Sequence, residues 1–244
     1  MINNYSTTIH KAIFLMALFF CLQSSAQTNA LGSWNIVNVK LNINKKWSAF
    51  AEAQLRSLEF YNSFHYYEYK AGATYIFDKN FSLTAGLGKY KTYAEGGNFK
   101  KPISNDEIRT WLQINMKQQI NRFQFEHRYR AEQRFTSNDY KNRFRYRLSL
   151  TIPIKKEKME PKTFYVTISD ELFFTNNAPY FERNRFYTGL GYEFTHTFSM
   201  QTGYLNQFDY KLTDETGRNF FLISMFFNLD WKKIKPGFIP ENID

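Results

Sequence analysis

The chain has 244 residues, with 32 lysines and arginines against 22 acidic residues, and therefore a formal net charge of +10. A single cysteine excludes a disulfide-stabilised fold and a thiolate zinc site. Aromatic residues make up 19% of the chain, which argues against intrinsic disorder, and the length is sufficient for one all-β domain.

The first predicted element is a secretory signal peptide that covers residues 1–26. Its apolar run, residues 12–22, is too short to cross a bilayer as a helix but has the length of a signal-peptide core. The small residues at the end of this segment suit a signal peptidase, so we expect cleavage after Ala26. The remainder, residues 27–244, is predicted to be one domain without cysteine, because Cys21 lies within the signal peptide.

Beyond the signal peptide, apolar and polar residues alternate with a period of two in one segment after another. Such alternation predicts β-strands, because successive side chains of a strand point to opposite faces. In the segment 123–135, for example, Phe123, Phe125 and Tyr129 share one face, while glutamates and arginines share the other. About eleven strands are predicted in this way, approximately over residues 34–43, 47–58, 65–77, 81–93, 107–117, 123–135, 142–154, 163–174, 183–194, 198–210 and 221–231.

The length of these segments favours a membrane barrel. At about 10–13 residues they are longer than most soluble strands and match tilted transmembrane strands. Only helices and closed barrels satisfy their backbone hydrogen bonds in lipid. The sequence therefore predicts an all-β fold, an antiparallel transmembrane β-barrel of 10–12 strands. Since single-chain bacterial barrels have an even number of strands, either the segment 34–43 lies partly outside the barrel or a link hides a further strand, and we favour twelve.

The connections between the predicted strands alternate in length. Longer links are predicted over residues 94–106, 136–141, 176–182 and 211–217, and tight turns over 44–46, 78–80, 119–122 and 195–197. Short periplasmic turns and longer external loops are expected of a barrel in the bacterial outer membrane, the predicted location. The segment 155–162 is long but falls on the short-turn side. A soluble β-sandwich, with the apolar face packed between two sheets, is the competing fold.

The charged face of the strands is predicted to line the lumen. Enclosed charges must be paired or hydrated, so we expect a structural network of arginines and glutamates. The excess of arginine on 123–135 and 142–154 leaves open an anion-preferring pore. The predicted lumen network consists of Glu107, Arg109, Glu126, Arg128, Arg130, Glu132, Arg134, Arg143, Arg145, Arg147, Glu171, Arg183, Arg185 and Glu193. The same face is predicted to carry Glu52, Arg56, Glu68, Lys70 and Lys117.

Aromatic residues near strand ends are predicted to form girdles at the two membrane interfaces, where rings with a polar edge suit the headgroup region. The predicted interfacial residues are Trp47, Tyr75, Tyr90 and Trp231. The aromatic cluster at residues 60–67 has a second interpretation, a platform that binds sugar or a partner protein.

The sequence predicts no catalytic residue, no metal site and no cofactor. No serine, histidine and acid form an evident triad, and no two histidines lie close in sequence. His127 falls on the outward face, where we expect a neutral, hydrogen-bonded ring. Export argues against nucleic acid as a partner despite the basic charge. Lipopolysaccharide phosphates are the expected partners of exposed basic residues such as Lys100 and Lys101.

Short motifs within these strands carry a resemblance to a known family. They are Trp34-Asn35-Ile36-Val37, Asn44-Lys45-Lys46-Trp47, Glu52-Ala53-Gln54-Leu55-Arg56, the segment 123–130 and Ser169-Asp170-Glu171. The chain resembles the Bacteroidetes-type outer-membrane barrel family catalogued as domain of unknown function 2490, over essentially all of the chain after the signal peptide. The resemblance implies a barrel fold and an outer-membrane location, and it supplies no catalytic residues.

The predicted function is that of a structural or accessory barrel of an envelope assembly, with outer-membrane lipid and other envelope proteins as partners. Two alternatives stay open. One is a small anion-preferring pore, and the other is an envelope hydrolase with its site at the barrel rim.

Overall fold

The computed structural model describes residues 30–137, 139–212 and 216–234, so the predicted signal peptide lies outside the described residues. Eleven β-strands form one closed barrel, and a four-residue helix follows the last strand. The elements are β1 (Leu31–Asn42), β2 (Trp47–Glu59), β3 (Asn62–Ile76), β4 (Phe81–Tyr93), β5 (Ile103–Ile120), β6 (Phe123–Thr136), β7 (Tyr140–Pro153), β8 (Thr163–Thr175), β9 (Phe181–Thr195), β10 (Phe198–Asp209), β11 (Thr216–Asp230) and α1 (Trp231–Ile234).

Every strand pairs antiparallel with its neighbour in sequence, and the barrel closes where β1 pairs parallel with β11. At this seam Val37 of β1 lies opposite Met225 of β11. The first and last strands of an odd-numbered barrel run in the same direction, so they can only close in parallel. The expectation of an even number of strands, with twelve favoured, is therefore wrong. The segment 34–43 is a full barrel strand, and the described links contain no further strand.

The connections define two ends of the barrel. The turn end carries residues 43–46, 77–80, 121–122, 154–162 and 196–197, and the loop end carries 60–61, 94–102, 137, 139, 176–180 and 210–212. The difference in length is smaller than the sequence predicts. The β2–β3 connection at the loop end has only two residues, whereas the β7–β8 connection at the turn end has nine.

Two of the tight turns are stabilised in the same way. In the β1–β2 turn the side-chain oxygen of Asn44 accepts hydrogen bonds from the backbone N–H groups of Lys46 and Trp47, both at 2.9 Å. Asp78 forms the equivalent pair of bonds in the β3–β4 turn, at 2.7 and 2.9 Å. Asn and Asp favour such turns because their short side chains replace a backbone acceptor.

The predicted alternation is confirmed along the strands. Large apolar side chains point outward, among them Leu112, Phe144 and Leu190, whereas the carboxylates of Glu107 and Glu132 are buried inside. The eleven strands close on themselves in a single layer, which excludes the two-layer sandwich. No helix in the described part of the chain is long and apolar enough to cross a membrane.

A small apolar cluster also lies inside the barrel. It is formed by Trp34, Tyr187, Leu205, Phe220 and Leu222, with Ile36 packed against it. These residues belong to β1, β9, β10 and β11, so they occupy one wall of the lumen. The wall formed by β5, β6 and β7 carries most of the arginines and glutamates instead.

Candidate functional site in the barrel lumen

All fourteen residues of the predicted lumen network lie on the inner face, because each occupies an alternate position of its strand. They are buried in the lumen or line one of its two cavities. Ion pairs join most of them to one another and to further inner-face residues.

The centre of the lumen is built around Glu132 and Glu171. Arg145 contacts both carboxylates, with its Nη1 2.6 Å from Glu132 and its Nη2 2.8 Å from Glu171. Arg128 also pairs with Glu171, and Arg130 approaches Glu132 at 3.5 Å. Both carboxylates are almost fully buried, so the arginines provide the compensation that an enclosed charge requires.

A third carboxylate, Glu107, lies closer to the loop end. Arg109 donates to both of its oxygens, from Nε at 2.8 Å and from Nη2 at 2.9 Å. Arg134 from the neighbouring strand pairs with the same carboxylate, and its Nη2 donates at 3.0 Å. Such two-point contacts hold both the position and the orientation of the guanidinium groups.

Aromatic rings lie between the charged groups. The guanidinium carbon of Arg56 is 3.4 Å from the ring centroid of Trp34 and 4.0 Å from that of Tyr66. Arg56 also donates to Gln54 at 3.1 Å and to Glu68 at 3.2 Å. Stacking on ring faces stabilises a cation whose water has been removed.

Phe173 is surrounded by arginines. Four guanidinium carbons lie between 4.5 and 5.7 Å from the centroid of its ring, and the ring itself is 1% exposed. They belong to Arg143, Arg145, Arg183 and Arg185. Phe173 lies on β8, between the arginines of β7 and those of β9, so its ring contacts cations from both neighbouring strands.

These contacts form one continuous set, here called the central network. Its ten cations are Arg56, Lys70, Arg109, Arg128, Arg130, Arg134, Arg143, Arg145, Arg183 and Arg185, and its seven carboxylates are Glu52, Glu68, Glu107, Glu132, Glu171, Glu182 and Asp209. Arg147 and Glu126 form a separate pair at 3.0 Å, and Glu193 lines the lumen with no ion pair among the described residues.

The central network separates two cavities. The turn-end cavity has a volume of about 950 Å³, and the loop-end cavity has a volume of about 480 Å³. Five residues line both of them, namely Trp34, Gln54, Lys70, Arg145 and Arg185. These five residues, together with Glu132 and Glu171 that pair with Arg145, lie where the two cavities meet, and they are here called the septum.

Two carboxylates of the central network were not predicted. Glu182 falls in the predicted link 176–182, but it is the second residue of β9 and pairs with Arg143 and Arg134. Asp209 ends β10, where it pairs with Arg183. The alternation along β10 would have placed Asp209 inside. Glu182 could not be placed by alternation, because the β8–β9 register shifts next to it.

The predicted interfacial aromatics do not all face outward. Trp47 lies at the turn end with its ring centroid 5.0 Å from that of Tyr75, and Trp231 of α1 is exposed at the same end. The structure corrects the prediction that Tyr90 is an interfacial residue. Tyr90 is 2% exposed inside the barrel, and the guanidinium carbon of Arg109 lies 3.8 Å from the centroid of its ring. Gly86, Gly88 and Tyr90 occupy alternate positions of β4, so all three lie on the inward face of the strand.

The three described histidines lie apart. His65 is near the loop end, His196 lies in a turn-end connection, and His127 points outward with its Nδ1 2.9 Å from the hydroxyl of Tyr146. Among the described residues, no group of three or more His, Cys, Asp and Glu could hold a metal ion.

The chain was compared with family models, curated proteins and solved structures, and one family model matches it. The family model described as Protein of unknown function (DUF2490) matches residues 31–218, which runs from the first residue of β1 into β11. The comparisons with curated proteins and with solved structures gave no significant match. The match covers most of the chain and nearly the whole barrel, so this protein belongs to the DUF2490 family.

Proposed function

We propose that this protein is an outer-membrane β-barrel with a structural or accessory role in the envelope, and that its lumen does not conduct solutes. The observation that carries the proposal is the septum, in which buried arginines and glutamates cross the lumen between the two cavities. Moving these charges apart would expose each one without its partner, which is strongly unfavourable.

The outer surface supports insertion into lipid. Large apolar side chains cover it, including Leu87 at 60% and Leu112 at 58% exposure. A soluble monomer rarely exposes so extensive an apolar surface, whereas a membrane barrel requires it.

Aromatic rings at the two ends support the same location. At the turn end a chain of ring contacts runs through Phe164, Tyr192, Phe194, Phe198 and Phe227, with centroids 4.4–5.2 Å apart. At the loop end a second group packs around Phe99, as expected for girdles at two membrane interfaces.

The role in an envelope assembly can be tested by purification in a mild detergent. If the barrel is an accessory component, other envelope proteins co-purify with it in fixed proportion. Recovery of the barrel alone, under conditions that preserve known envelope complexes, contradicts that role.

The closed lumen can be tested separately in planar lipid bilayers. We expect no channel events from the purified barrel, and protease treatment of reconstituted vesicles should cut it only in its end connections. Steady conductance through the native protein contradicts a closed lumen.

An anion-preferring pore is the second candidate, and one observation favours it. The loop-end cavity is lined by ten lysines and arginines but by only three carboxylates. Channel events with anion selectivity in the same bilayers would support this candidate over the closed barrel.

A further inference from the structure

The charges of the central network do not balance. Its ten cations face seven carboxylates, and several of these carboxylates are shared between two or three arginines. A buried surplus of positive charge is unfavourable unless an anion compensates it.

Arg185 is the clearest member of that surplus. Its Nε donates to the amide oxygen of Gln207 at 2.9 Å, and no described carboxylate pairs with it. Its guanidinium lies between two rings, 4.9 Å from the centroid of Trp34 and 4.8 Å from that of Phe173. The residue lines both cavities, so its charge is directed into the open space of the lumen.

Arg56 adds an unsatisfied donor beside it. The side chain of Arg56 is 9% exposed, and its buried Nε has no hydrogen-bond acceptor among the described residues. Like Arg185, it stacks on Trp34 and lines the loop-end cavity. Both guanidinium groups therefore contact the indole ring of Trp34, which lines both cavities.

The loop-end cavity has the size and chemistry of an oxyanion site. Its volume of about 480 Å³ lies within the range of small-molecule sites. Lys211 and Arg218, from either side of the β10–β11 connection, line its rim. Guanidinium groups bind phosphate oxygens in a planar, two-point geometry that a lysine cannot provide.

We propose that the loop-end cavity binds a multiply charged, phosphate-bearing anion, with Arg185 and Arg56 as its principal ligands. A singly charged ion would leave part of the surplus uncompensated, so a diphosphate is preferred to chloride. The phosphate groups could belong to a soluble metabolite or to a lipid headgroup that reaches the cavity from the rim. The proposal goes beyond the closed barrel, because a bound anion requires no passage through the septum.

Calorimetric titration of the purified barrel with inorganic pyrophosphate, in a neutral detergent at low salt, tests this proposal. We expect saturable binding to the native protein and at least about tenfold weaker binding to Arg185→Gln. The matched control is Arg147→Gln, which removes the same charge from the inner face but lines only the turn-end cavity. Its affinity for pyrophosphate should stay within about twofold of the native value.

A second measurement separates loss of the site from loss of the fold. Without ligand, Arg185→Gln should unfold at the same or a higher temperature than the native barrel, because it removes a repulsive charge. At one pyrophosphate concentration, the rise in unfolding temperature should be similar for the native barrel and Arg147→Gln, and clearly smaller for Arg185→Gln.

The source of the phosphate is decided by repeating the titration in lipid nanodiscs. If nanodiscs that contain phosphatidate bind pyrophosphate more weakly than nanodiscs of phosphatidylcholine alone, the site accepts lipid headgroups. If phosphatidate has no effect on pyrophosphate binding, the site takes soluble anions. No saturable binding of pyrophosphate in detergent overturns the proposal, and so does an equal loss of affinity in both variants. The conductance measurement is independent of these results.

Discussion

Arg145 connects two buried carboxylates from neighbouring strands, with its Nη1 2.6 Å from Glu132 and its Nη2 2.8 Å from Glu171. Glu132 lies on β6 and Glu171 on β8, on either side of Arg145 on β7. The guanidinium therefore links three adjacent strands through side chains, in addition to the backbone ladder.

Replacing Glu132 by Gln should destabilise the barrel by about 3 kcal/mol, because it leaves buried arginines without their shared carboxylate. Unfolding by urea in detergent, followed by the mobility of unheated samples on gels, measures the change. Glu126→Gln is the matched control, since Glu126 is 28% exposed and pairs only with Arg147. We expect Glu126→Gln to lower the free energy of unfolding by less than about 1 kcal/mol. An equal loss of stability in both variants would contradict a stabilising role for the septum.

Replacing Leu112 by Arg tests which side of the sheet faces lipid. Leu112 lies midway along β5 and points outward with 58% exposure. A charge at the middle of a bilayer costs about 2–4 kcal/mol, whereas one near the interface costs about 0–1 kcal/mol. Folding into lipid vesicles should therefore be impaired by Leu112→Arg but hardly by Ile103→Arg at the loop end of the same strand. Indistinguishable folding of the two variants would mean that this face meets water.

Gly203 should not tolerate a side chain. A Cβ at this position would lie 2.2 Å from the backbone oxygen of Thr188 and 2.5 Å from the Cα of Gly189, so a backbone would have to move. We expect Gly203→Ala to cost about 1–3 kcal/mol in the free energy of unfolding. In the loop, Gly97 has its nearest neighbouring atom at 3.6 Å, and Gly97→Ala should change stability by less than about 0.5 kcal/mol. Equal stabilities of the two variants would show that β9 and β10 are less closely packed at this point.

Cysteine cross-linking tests the parallel seam. Val37 and Met225 are directly paired between β1 and β11, so a disulfide between Val37→Cys and Met225→Cys should form on mild oxidation and be visible as altered gel mobility. Combining Val37→Cys with Leu229→Cys is the control, because Leu229 lies about 13 Å further along the strand. Cross-linking of the control pair but not of the first pair would exclude this register.

Much of the barrel follows from the sequence because of one short-range rule. Alternation in segments such as 123–135 separates Phe125 and Tyr129 from Glu126 and Arg128, and a strand has no way to put both sets on one face. This rule predicted the strands and the inner face of β5, β6, β7 and β9. The same rule places Tyr90 on the inner face with Gly86 and Gly88, although Tyr90 lies near a strand end, where aromatic residues of membrane barrels often form a girdle.

Closure of the barrel depended on interactions that no local pattern contains. Nothing within residues 31–42 shows that β1 pairs parallel with β11, because that pairing joins residues almost 190 positions apart. The same holds for the partners in the septum. Glu182 reaches Arg143 and Arg134 only because the β8–β9 register shifts next to Phe173.

The sequence by itself determined the direction in which most strand side chains point, because the two-residue repeat of an extended chain is a local property of the backbone. The tertiary structure decided which of the inward charges meet. Strand register and parallel closure together place ten cations beside seven carboxylates across the lumen and leave Arg185 facing open space.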